Sequence, residues 1–295
     1  GGVVRVGGGD QGHGEAGRGG AGAGRGTWGE ASGGGGRADG SRWKGGLRRD
    51  EEAALEAWCA ERGAETAAVF GGGMPANGGF LPEREAGRDE LRAITREHGT
   101  LLVVDEVITG FRLGSGGYCG REGYDADLVT YGKVIGGGLP VGAYGGKAEL
   151  MDRISPEGGV YQAGTLSGNP LCMAAGIAAL GVLEDEGGWE RLEQLGQAWE
   201  TRLRPLVERE CAAGAPLTLT REASIFWLCF GATEAPRSFG AIPEAGAERY
   251  TRFFHALLER GVMVAPSAYE VGFLSLAMTE SDLDFAAERF AEALE

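Results

Sequence analysis

Residues 101–112 read Leu101-Leu102-Val103-Val104-Asp105-Glu106-Val107-Ile108-Thr109-Gly110-Phe111-Arg112. Four apolar residues closed by carboxylates are the pattern of a strand buried on both faces, as inside a parallel sheet. The run predicts a strand over residues 101–107, with its carboxylates at the end where open α/β sheets bind ligands. Side chains alternate along a strand, so Asp105 and Val107 are expected on one face and Glu106 on the other. Taken alone, these residues also read as an ordinary polar strand end.

The flanks repeat the alternation of helix and strand. Residues 51–62 carry an apolar stripe at Ala54, Leu55, Trp58 and Cys59, closed by Gly63, and residues 66–70 follow as a strand. Residues 83–97 read as a helix ahead of the 101–107 run. Residues 127–131 and 141–144 read as further strands, and residues 170–183 as a helix with Asn169 at its N-cap and Pro170 at its first position. This order predicts an α/β fold, helices packed on a mostly parallel sheet. Beyond Gly187-Gly188 the pattern becomes α+β. Helices are expected over 189–208, 247–260 and 281–294, with strands near 217–220, 224–230, 262–264 and 272–277.

Two further stretches carry chemistry. In Tyr131-Gly132-Lys133-Val134-Ile135-Gly136-Gly137-Gly138-Leu139-Pro140, a lysine stands among apolar residues and glycines, unlike a solvated surface lysine. Pyridoxal phosphate needs a lysine for its Schiff base and a carboxylate for its ring nitrogen, and Lys133 with Asp105 would provide both. A loop over phosphates is the alternative, although the order of a P-loop is absent. Tyr161-Gln162-Ala163-Gly164-Thr165-Leu166-Ser167-Gly168-Asn169-Pro170 is a polar loop feeding a helix N-terminus, which reads as an anion site or as plain capping.

On these three stretches the chain resembles the class III pyridoxal-phosphate aminotransferases from about Asp50 onward. The resemblance implies fold type I of the pyridoxal-phosphate enzymes, with pyridoxal 5′-phosphate as cofactor. It implies that Asp105 binds the pyridine nitrogen, Val107 packs on the ring and Lys133 forms the Schiff base. Gly164 and Thr165 would bind the cofactor phosphate of a neighbouring subunit, which implies a homodimer, and Glu270 in Pro266-Ser267-Ala268-Tyr269-Glu270 would lie near an amino-acid substrate. The 161–170 segment is closer to the family's aminomutases than to its general transaminases. Intramolecular amino transfer from glutamate-1-semialdehyde to 5-aminolevulinate, in tetrapyrrole biosynthesis, is therefore expected. The alternatives are another class III aminotransferase or a non-catalytic remnant. The family's Ser-Gly-Thr-Glu-Ala loop and Tyr-His-Gly segment are not found, Gly71-Gly72-Gly73 stands where Glu-Pro is usual, and Met278 stands where histidine is usual.

Residues 1–49 differ in kind. Of the 57 glycines, 21 fall in residues 1–46, too few apolar groups to offset the entropy of ordering, so a structureless or out-of-frame segment is expected there. The opening Gly1 suggests an incomplete start. The expected division is thus 1–49, a partial cofactor-binding domain over 50–186 and a small domain over 187–295. A net charge of −15 opposes nucleic-acid and anionic-membrane partners. Five scattered cysteines fit neither a zinc site nor a disulfide framework, and point to a reducing cytoplasm.

Overall fold

The computed structural model of the protein describes residues 2–6, 44–47, 52–63, 66–82, 85–185 and 187–295. Six strands form the main sheet: β1 (Gly2–Val6), β2 (Lys44–Leu47), β3 (Thr66–Gly71), β4 (Leu101–Asp105), β5 (Leu128–Tyr131) and β6 (Ala143–Gly146). Their order is β2-β1-β3-β4-β5-β6, parallel throughout except for β6, which closes the edge antiparallel to β5. Leu102, Val103 and Val104 are buried between β3 and β5, as an uninterrupted apolar run requires.

Helices α1 (Glu52–Arg62) and α2 (Glu85–Glu97) run between strands, and the short α3 (Gly117–Glu122) follows the turn after β4. A brief α4 (Ala148–Met151) leads to α5 (Pro170–Asp185), where the Asn169 carboxamide accepts from the N–H groups of Leu171 at 3.1 Å and Cys172 at 3.3 Å, as expected of its N-cap. Gly187, at a φ of 60°, turns the chain into α6 (Gly188–Ala212). A second, antiparallel sheet follows, of β7 (Leu217–Glu222), β8 (Ile225–Phe230) and β9 (Gly272–Phe273), packed with α6, α7 (Gly246–Glu259) and α8 (Glu280–Leu294). Thr279 and Asp282 form a reciprocal capping box at the start of α8.

β8 joins the two halves. All six of its residues are buried, and they alternate between two cores. Ile225, Trp227 and Cys229 pack with Val69, Phe80, Leu102 and Val104 of the main sheet and its loops. Phe226, Leu228 and Phe230 pack with Trp199, Phe253, Leu257 and Phe290 of the helices. Trp189 Nε1–H to the Phe111 carbonyl at 3.0 Å, and Gly79 N–H to the Tyr269 carbonyl at 2.7 Å, stitch the same seam.

Several expectations need correction. Two pieces of the glycine-rich stretch, Gly2–Val6 and Lys44–Leu47, are strands: Val-Val-Arg-Val is itself a β-branched run, and glycine-rich flanks do not prevent its backbone from pairing. The rest of what was expected of residues 1–49 falls outside the described residues. β4 stops at Asp105 rather than Val107, because a Gly110 N–H to Glu106 carbonyl bond of 2.8 Å bends the chain into a turn. Residues 262–264 form no strand, and the strand expected over 272–277 shrinks to two residues. The 141–144 strand lies instead over Ala143–Gly146.

Candidate active site

β4 and β5 are adjacent and parallel, with Asp105 paired in register with Thr130. Asp105 ends β4, and three residues beyond Thr130 the chain reaches Lys133, the first residue of a 3-10 turn over Lys133–Gly136. Both side chains are exposed at the carboxyl edge of the sheet. Asp105 Oδ1 accepts the Val107 N–H at 3.0 Å, an Asx-type turn, and the Thr130 hydroxyl at 3.2 Å. Its Oδ2 has no hydrogen-bond partner among the described residues, and Lys133 forms no ion pair with any of them.

The Lys133 segment is held tightly. Lys133 itself has a φ of 48°, left-handed backbone that a non-glycine residue adopts only when its surroundings impose it. Those surroundings are α5 and the loop after β4. A Cβ on Gly137 would come within 2.3 Å of the Ala175 carbonyl oxygen, and one on Gly176 within 2.2 Å of the Ile135 carbonyl oxygen. Only glycine allows helix and turn to approach so closely. Val107 packs against Gly132, where an added Cβ would meet its Cγ1 at 3.1 Å.

Glu106, next to Asp105, does different work. It is fully buried and accepts the N–H groups of Tyr118 at 2.6 Å and Cys119 at 2.8 Å, and the Thr109 hydroxyl at 3.0 Å. It therefore ties α3 to the end of β4. Gly117, with a φ of 60°, lies so close that a Cβ would sit 2.1 Å from Glu106 Oε2. Burial, then the Glu106 charge, pushes the Cys119 thiol far up, which keeps it protonated and inert. The same two causes raise the Tyr131 phenol.

Not every expected residue joins this edge. Gly164 and Thr165 lie on an exposed loop, Val160 to Gly168, ahead of α5, and no described hydrogen bond links them to Asp105 or Lys133. The exposed apolar side chains Tyr161, Leu166, Leu171 and Ile177 share this loop and helix. Glu270 is half-buried in the turn after Pro266, where burial and then its charge push the Tyr250 phenol up to about 12. No described contact joins Glu270 to Lys133. Two residues escaped sequence reasoning. Thr130 gave no signal beyond its place in a strand. Arg112, half-buried, donates to the Leu274 carbonyl at 3.0 Å and the Ser224 hydroxyl at 3.3 Å, and burial lowers its pKa. Among the described residues no cluster of His, Cys, Asp and Glu could hold a metal.

The family model described as aminotransferase class-III matches residues 46–294. Two curated relatives, each named glutamate-1-semialdehyde 2,1-aminomutase, are 42% identical over 247 residues (Bdellovibrio bacteriovorus) and 44% identical over 238 residues (Anaeromyxobacter sp.). They match 83% and 81% of this chain, which spans 57% and 54% of their own lengths. The chain thus covers little more than half of the curated relatives it matches. Among solved structures, an omega-transaminase from Sphaerobacter thermophilus superposes with a TM-score of 0.77 at 32% identity, over 85% of this chain and 57% of that one.

Proposed function

The chain belongs to the class III aminotransferase family, and on that premise we propose that it is part of a pyridoxal-phosphate aminomutase converting glutamate-1-semialdehyde to 5-aminolevulinate. The observation that carries this reading is the pairing of Asp105 and Lys133 at the ends of adjacent parallel strands. Both present groups that no described residue neutralises.

These groups fit the cofactor chemically. An aspartate with one oxygen held and the other open can accept a hydrogen bond from a protonated ring nitrogen. An amine with no partner among the described residues, on a tightly held turn, can attack an aldehyde once deprotonated. When bound, pyridoxal 5′-phosphate supplies an electron sink that stabilises negative charge developing on the substrate carbon. Lys133 Nζ would hold the cofactor through its aldehyde and, once free of it, would carry a proton between a substrate carbon and the cofactor carbon. Asp105 keeps the ring nitrogen protonated during that transfer. Val107, packed on Gly132, offers an apolar surface for the ring. Gly164 and Thr165 serve the cofactor phosphate of a second subunit in a homodimer, and Glu270 lies toward the amino-acid substrate.

The residues after Gly187 form the small domain of this scheme, and the cytoplasm is its compartment. No helix among the described residues is long and apolar enough to cross a membrane. The test is direct: incubate the chain with pyridoxal 5′-phosphate, reduce with borohydride and map the modified residue. Labelling of Lys133 supports the reading, and labelling of Lys147 overturns it. Formation of 5-aminolevulinate without an added amino acceptor separates the aminomutase from an ordinary transaminase.

A further inference from the structure

We propose that Thr130 is a positioning residue for the cofactor, its hydroxyl fixing one oxygen of Asp105 so that the other is presented to the ring nitrogen. The inference rests on the assignment of Asp105 above and deepens it.

An exposed aspartate ordinarily samples several staggered rotamers. Here two donors converge on the same oxygen: the Val107 N–H at 3.0 Å and the Thr130 Oγ1–H at 3.2 Å both meet Oδ1. A planar carboxylate held twice at one oxygen keeps one orientation, which leaves Oδ2 free of described partners. The two donors are of different kinds. The N–H lies on the turn that follows Asp105, so it moves with it. The hydroxyl comes from the neighbouring strand, directly across the register from Asp105. That strand continues through Tyr131 and Gly132 to Lys133. Thr130 therefore couples the orientation of the carboxylate to the strand that carries the amine, and it does so with a β-branched side chain that is itself stiff at χ1. The two groups that grip opposite ends of one planar ring are set against each other by this bond.

The experiment uses the full chain carrying Thr130→Val, which keeps the shape and removes the donor, and Thr130→Ser, which keeps the donor. In the cofactor-free protein, three-bond NMR couplings report the χ1 of Asp105. A single rotamer is expected in the native chain and in Thr130→Ser, and averaged couplings in Thr130→Val. Unchanged couplings in Thr130→Val overturn the proposal. The second measurement is affinity for pyridoxal 5′-phosphate and for its 1-deaza analogue, in which carbon replaces the ring nitrogen. Thr130→Val should weaken the first about fivefold, the worth of one ordinary hydrogen bond, with recovery in Thr130→Ser and no change for the analogue. Equal losses for both ligands would mean general damage to the site and would also overturn it. Asp105→Asn binding both ligands like the native chain would remove Asp105 from the ring nitrogen. That failure of the parent reading stays distinguishable, because the couplings still show whether Thr130 holds Asp105.

Discussion

The main sheet carries two aspartate–lysine neighbourhoods, and they are opposites. At the carboxyl edge, Asp105 keeps an open oxygen and Lys133 has no described partner. At the amino end of β5, Asp127 is 6% exposed and saturated: Arg92 grips it twice at 2.7 and 3.1 Å, the Leu102 N–H donates at 2.8 Å and Lys147 Nζ at 2.6 Å. A buried carboxylate with every lone pair engaged is a joint between α2, β4, β5 and the turn after β6. An exposed one with a single oxygen held, and no described partner on the other, can still accept a hydrogen bond from outside the described residues. The two lysines are only fourteen positions apart, and it is their described partners, not their residue type, that set the two neighbourhoods apart.

The sharpest way to break this contrast is covalent labelling. Lys133→Ala should abolish borohydride-fixed cofactor altogether, while Lys147→Ala should leave the labelling of Lys133 in place; peptide mapping by mass spectrometry decides. Next in size is stability. Asp127→Ala should cost about 3–5 kcal/mol in urea unfolding, because it leaves the buried Arg92 guanidinium with only the more distant, half-exposed Asp125, at 3.6 Å, among its described partners. Asp105→Asn, made at an exposed site, should stay within about 0.5 kcal/mol of the native value.

Glu106→Gln should fall between these, at about 1–3 kcal/mol. A carboxamide offers one acceptor oxygen where Tyr118 N–H, Cys119 N–H and Thr109 need two, and its NH2 would face donors. Loss of protection at the Tyr118 and Cys119 amides in hydrogen exchange would localise the effect.

A smaller effect than the loss in Asp127→Ala is the pH dependence of the Asp127 joint. Burial alone would raise its pKa, but the hydrogen bonds from Arg92, Leu102 and Lys147 outweigh that and hold it at about 2. A depressed carboxylate contributes stability that is fully present above its unfolded pKa, near 4, and is lost as pH falls toward 2. The native chain should therefore lose up to about 2 kcal/mol more than Asp127→Asn over that window. Parallel urea curves at pH 7, 4 and 2 check it, and identical losses in the two proteins would dissociate Asp127 from acid sensitivity.

Much of the fold was legible because the signals are local. The apolar run before Asp105, the Asn169-Pro170 start of α5 and the stripe ending at Leu294 each specify an element through near neighbours alone. Legibility failed where the outcome depended on a partner. Val3 to Val6 became a strand by pairing with β3, and residues 274–277 failed to extend β9 although their sequence is apolar enough. At the candidate site, Asp105 and Lys133 stood out by residue type and setting, but Thr130 did not, nor did Arg92 at the Asp127 joint. A threonine in a strand and an arginine on a helix carry no mark of what lies across from them.

The sequence by itself determined the α/β class and the family, and singled out Asp105 and Lys133 as candidates, since strand burial, helix caps and short motifs are written in adjacent residues. Only the tertiary structure decided which carboxylates are spent. Asp105, Glu106 and Asp127 are chemically alike. Glu106 is consumed by the N–H groups of α3, Asp127 by Arg92 and Lys147, and Asp105 is left with one oxygen that no described residue engages. The physical reason is that a carboxylate's role is set by how many donors reach it through space, and those donors arrive from strands and helices up to 35 positions away in the chain.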